Sequence, residues 1–153
     1  MKSMKIKVLV TILVILTVFF TVIHLNSREQ VSKDTLLIKT SDKNHVLDIT
    51  SLNYERVTGV RVNGKGEEIS VDAQGILLKD ILEKENILEY DKVILTAEDS
   101  YQVEVTAEEI QQEGKVYFLY EKDNLRLIVF GDENSKRSVS NVSQMTIEFD
   151  ESK

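Results

Sequence analysis

The chain has 153 residues, 42% of them hydrophobic and 29% charged, with 26 acidic against 19 basic side chains and a net charge of −7. All the acidic residues lie after residue 27, so residues 28–153 carry −10, from 16 basic and 26 acidic groups. That balance argues against nucleic acid as a partner, because phosphate backbones select basic surfaces. The absence of cysteine rules out disulfides, thiolate metal sites and cysteine nucleophiles.

Lys2, Lys5 and Lys7 precede an apolar stretch from Val8 to Ile23, broken only by Thr11, Thr17 and Thr21. Counted over residues 6–25, with Lys7 and His24 reaching toward the interfaces, it matches the ~17–25 residues of a membrane-crossing helix. Three lysines before the span, against Arg28 and Lys33 after it, keep the amino terminus cytoplasmic. Residues 1–27 are therefore expected to form a signal anchor, 28–33 a short linker and 34–153 a domain outside the cytoplasm. The product is a single-pass protein of the cell membrane. The alternative is a cleaved leader and a secreted domain, but Leu25 is too large for the −3 position of a cut after Ser27.

Within the domain, β-branched residues and period-2 alternation dominate. Thr35 to Lys39 reads as a first strand and His45 to Thr50 as a second. Arg56 to Val62 runs into Asn63-Gly64-Lys65-Gly66, a hairpin signal, and Glu67 to Val71 returns. Leu77, Leu78, Ile81 and Leu82 then share one face of a helix from about Leu77 to Lys84. Lys92 to Ala97 is a buried strand, followed by a Glu98-Asp99-Ser100 turn and the alternating Tyr101 to Val105. Thr106 with Glu109 makes a capping box that opens a short helix to about Gln112. Val116 to Tyr120 and Leu125 to Phe130 pair across Lys122-Asp123-Asn124, Gly131 to Ser138 is a polar loop, and Gln144 to Asp150 closes the domain. Many strands in a mixed sheet with two short helices define an α+β class.

Several of these pieces follow one another as in the sulfite-oxidase-like molybdopterin-binding domain. Gln74-Gly75-Ile76-Leu77-Leu78-Lys79-Asp80-Ile81-Leu82 resembles that family's G-v-x-L-x-d-l-L helix start. Val93 to Tyr101 is similar to its strand followed by Asp-Gly-Tyr, with Ser100 in the glycine position. Leu125 to Val129 resembles its P-L-R-L-V strand, with Asn124 in place of proline. Asn141 to Ile147 resembles its v-K-x-v-x-x-I ending. The match covers Gln74 to Phe149. Enzymatic members hold molybdenum through a cysteine thiolate, which has no counterpart here, so the resemblance implies a reused scaffold on which fold does not carry function.

No G-x-S-x-G, Walker A, H-E-x-x-H or G-x-G-x-x-G motif occurs. His45 is the only histidine after residue 27; its neighbours Val46 and Leu47 place it in a strand with no nucleophile nearby in sequence, so a surface or edge-strand histidine is expected rather than a catalytic one. Glu108-Glu109 opens a helix, where the dipole favours negative charge, and Glu98-Asp99 lies in a turn, where Asp bonds its own backbone. Asp132-Glu133-Asn134 lacks the EF-hand spacing for calcium. Arg126 stands out among Leu125, Leu127, Ile128 and Val129. The resemblance implies that it edges the former cofactor cleft near Tyr101 and the Lys136-Arg137 loop. Arg126, Tyr101, Asp99, Lys136 and Arg137 are thus the candidate ligand-binding residues, suited to a small anion or a protein partner's carboxylate.

No catalytic residue, metal or cofactor is expected. The sequence points to a membrane-tethered, extracytoplasmic, non-catalytic binding or interaction module. A molybdopterin-type oxidoreductase, or a subunit of an envelope redox complex, is the alternative.

Overall fold

The computed structural model describes residues 12–18 and 34–149. Residues 12–18 are helical and exposed, with the Thr17 hydroxyl donating to the Leu13 carbonyl at 2.8 Å. The rest of the expected span over residues 6–25, the linker 28–33 and Asp150 lie outside the described residues. Among the described residues no helix is long and apolar enough to cross a membrane.

Strands β1 (Thr35–Lys39) and β2 (Asn44–Asp48) open the domain, followed by β3 (Glu55–Val62) and β4 (Glu68–Leu77). Helix α1 (Leu78–Lys84) leads to β5 (Lys92–Ala97) and β6 (Gln102–Thr106), and helix α2 (Ala107–Gln111) to β7 (Val116–Glu121), β8 (Asn124–Val129) and β9 (Val142–Glu148). The fold is α+β, as the alternation predicts, and the strands divide into two sheets. One is five-stranded in the order β2-β1-β9-β5-β6, the other four-stranded in the order β3-β4-β7-β8. Among the described strands only β1 and β9 run parallel; every other described pair is antiparallel.

Turn chemistry accounts for the hairpins. The Asn63 side-chain oxygen accepts the N–H groups of Lys65 at 2.8 Å and Glu67 at 3.0 Å, while Gly66 takes a φ of 81° that other residues adopt at a cost. Between β7 and β8 the loop is two residues, since Glu121 pairs with Asn124. Lys122 and Asp123 both have positive φ, the geometry that matches strand twist in tight hairpins. The Thr106 capping box forms as read from the sequence: its hydroxyl accepts the Glu109 N–H and the Glu109 carboxylate accepts the Thr106 N–H.

Several element bounds differ from expectation, two of them for identifiable reasons. The second strand ends at Asp48, whose carboxylate accepts the Thr50 N–H at 2.9 Å and hydroxyl at 2.7 Å, turning Ile49–Ser51 into a 3₁₀ helix. In the other case β4 continues to Leu77 through Asp72, Ala73, Gln74 and Gly75, residues of low strand preference. Pairing supplies what propensity lacks, because this stretch bonds β3 on one side and β7 on the other.

The main core gathers Leu36 and Ile38 of β1, Leu95 of β5, Met145 of β9, Phe118 of β7 and Leu127 of β8, together with Leu78, Ile81 and Leu82 of α1 and Ile110 of α2. A smaller cluster of Val57, Val71, Leu119 and Ile128 occupies the opposite face of the four-stranded sheet, with Tyr117 and Phe130 against it. A Cβ placed on Gly59 would lie 2.5 Å from the Phe130 ring. Gly59 lies on one edge strand of that sheet and Phe130 just beyond the other, so the sheet curls until its edges meet. Phe130 packs against the second cluster, and its approach requires glycine at position 59.

Candidate functional site

The β5–β6 turn and the segment before β9 enclose a cleft of about 440 Å³. Local bonding sets the turn: Ser100 takes a φ of 71°, its N–H donates to the Ala97 carbonyl at 2.9 Å, and the Asp99 carboxylate accepts the Tyr101 N–H at 3.0 Å. Two longer bonds tie this turn to the opposing wall. The Glu98 N–H donates to the Asn141 carbonyl at 3.0 Å. The Tyr101 hydroxyl donates to the Lys136 carbonyl at 3.1 Å, across 35 positions of sequence. The tyrosine ring is therefore held at its tip while half of the residue, 49%, stays exposed.

Asp99, Tyr101 and Lys136 all line this cleft. Arg126 lines a neighbouring cleft of about 290 Å³ with Glu121, Lys122 and Asn124. Ser140 and Asn141 belong to both walls, so the two clefts adjoin. The Arg126 guanidinium is committed to Glu121 at 2.8 Å. It lies opposite Leu119 in the strand register, on the sheet face away from the main core.

Arg137 lines neither cleft, whereas its neighbour Lys136 lines the first. Its guanidinium donates to the Asp132 carboxylate, at 2.9 Å for one of its two bonds there, and to the Glu109 carboxylate at 2.8 Å. The Asp132 bonds, and with them Glu109, hold its pKa well above the ordinary arginine value despite burial. Burial pushes the Glu109 carboxyl up, but Arg137, the Thr106 N–H and Lys115 outweigh it, so the net shift is downward. This bridge ties α2 to the loop that carries Lys136.

The oxygens of Asp132 and Asn134 are engaged, the latter by the Lys136 N–H at 3.0 Å. Among the described residues no three His, Cys, Asp or Glu side chains converge as a metal site would require. His45 lies on the edge strand β2 with its Nε2 2.6 Å from the Glu85 carboxylate, remote in sequence from the cleft-lining residues.

Ser138, Ser140 and Asn141 also line the cleft, with no local sequence signal to mark them. The Ser138 hydroxyl oxygen is buried in the cleft wall and has no hydrogen-bond partner among the described residues. A third cavity of about 320 Å³ is lined by Glu55, Asp80, Lys84 and Tyr117. Burial, with Glu83 and Glu55 nearby, raises the Asp80 pKa. Burial also raises the Tyr117 hydroxyl, assisted by Asp80 and Glu55. No local motif joins positions 55, 80 and 117; only the pairing of β3, β4 and β7 brings them together.

Compared with known proteins, the chain matches no family model and no curated relative.

Proposed function

We propose that the chain is a membrane-tethered, extracytoplasmic, non-catalytic binding module whose ligand seat is the cleft between the β5–β6 turn and residues 135–141. The observation that carries this reading is the convergence of Asp99, Tyr101 and Lys136 on one cleft, braced by the Tyr101–Lys136 and Glu98–Asn141 bonds. A pre-formed concavity with a few fixed polar groups is the usual form of a binding site. The tether rests on the lysine-flanked apolar sequence of residues 6–25. Reading the domain as a sulfite-oxidase-like scaffold without its thiolate belongs to the same proposal, supported by the order of motifs from Gln74 to Phe149. The sequence has no cysteine, and His45, on β2, is not among the residues that line the cleft.

The cysteine-free sequence makes the topology simple to test. Lys65→Cys introduces a single thiol on an exposed hairpin tip. A membrane-impermeant maleimide is expected to label it in intact cells, on protein of full-length mass in the membrane fraction. Recovery of unlabelled protein from the cytosol contradicts the proposal.

A further inference from the structure

Resting on that reading, we infer that the two adjoining clefts form one groove for a neutral, polyhydroxylated chain, an oligosaccharide, with Tyr101 as the platform for a sugar ring. Charge is the first discriminator. The groove carries Glu98, Asp99 and Glu121 against Lys136, Lys122 and Arg126, three of each sign, within a region whose sequence carries −10. A seat for a polyanion or a polycation would show an excess of the opposite sign; this one shows none.

The remaining lining supports the same class. Ala97, Val139 and Leu125 are each no more than 5% exposed, so the groove has no apolar slot for an acyl chain or a hydrophobic side chain. Strand addition by a peptide is blocked at the middle of β8. Val139 already exchanges both backbone bonds with Leu127, at 2.8 and 3.2 Å. Hydroxyls and amides fill the rest of the wall, namely Ser135, Ser138, Ser140, Asn141 and Asn124. Vicinal sugar hydroxyls donate to carboxylates and accept from such groups, while the C–H face of a pyranose packs on an exposed, immobilised aromatic ring.

The test is calorimetric titration of the full chain, in a detergent without a sugar headgroup. The probes are cellotetraose and N-acetylchitotetraose, with tripolyphosphate and spermine as charged comparators. At least one tetrasaccharide is expected to bind with Kd of about 1 mM or tighter, changing less than about twofold between low and high salt because screening has little to act on. Tyr101→Ala is expected to weaken it about tenfold or more, and Tyr101→Phe, which keeps the ring, to restore most of the affinity. Failure of both tetrasaccharides, or unchanged binding by a folded Tyr101→Ala, overturns the inference. Tripolyphosphate binding lost in Lys136→Ala, or spermine binding lost in Asp99→Asn, also overturns it while leaving the cleft as a binding seat. If no probe binds and Tyr101→Ala is without consequence in cells, the binding-module reading fails as well.

Discussion

Lys136 and Arg137 are consecutive in one loop, yet they belong to regions with opposite economies of charge. Arg137, 29% exposed at its side chain, spends its donors on Asp132 and Glu109. Lys136 turns its backbone carbonyl to the Tyr101 hydroxyl and lines the cleft, with no ion pair for its side chain among the described residues. Asp99 and Ser138 also line the cleft. The difference teaches how to sort polar residues that look alike in sequence. Groups satisfied within the fold hold it together, and groups left over around a concavity are the ones a ligand can use.

If this sorting is right, the clamp side carries the largest stability effect. Arg137→Ala leaves two partly buried carboxylates without their partner. It is expected to cost about 1–3 kcal/mol, less than for a fully buried pair because solvent screens part of the interaction. Urea unfolding measures it, and a loss indistinguishable from zero would make the bridge ornamental. Glu109→Gln, which can preserve the helix cap, is expected to cost about 1 kcal/mol at neutral pH. The Glu109 pKa is lowered by folding from its ordinary 4.5. Its contribution is therefore present above that value and fades as pH falls through the folded pKa. Thermal midpoints of wild type and Glu109→Gln should accordingly converge in acid; a constant gap between pH 7 and pH 3 would mean that ionisation is irrelevant to the bridge.

Smaller effects belong to the cleft side. Tyr101→Phe removes a single half-exposed hydrogen bond and is expected to cost about 0.5–1 kcal/mol, visible as faster amide exchange in residues 135–141. Lys136→Ala is expected to change stability by no more than about 0.5 kcal/mol. A loss matching that of Arg137→Ala would erase the contrast between the two neighbours.

Much of the fold was readable from local signals. The bounds of β1 and β5, the Asn63 hairpin and the Thr106 capping box each follow from residues within a few positions of one another. So does the Asp99 carboxylate bonding to the Tyr101 backbone. What was not readable depends on partners far along the chain. The extension of β4 through Gly75 is stabilised by β3 and β7, and the curl that joins Gly59 to Phe130 has no sequence marker. The site divides the same way. Asp99 and Tyr101 sit in one turn, and Lys136 joins them through an expected polar loop. The pairing of Arg137 with Glu109 spans 28 positions and depends on where α2 docks, so no local signal announces it. Charge and polarity alone gave Lys136 and Arg137 the same signature.

The most direct measurement compares Tyr101→Ala and Arg137→Ala in two readouts, thermal midpoint and tetrasaccharide titration. Tyr101→Ala is expected to lose the ligand while unfolding closer to wild type than Arg137→Ala does. If Tyr101→Ala falls at least as far in stability, or keeps full affinity, then the cleft is held for architecture and the division between clamp and seat is wrong.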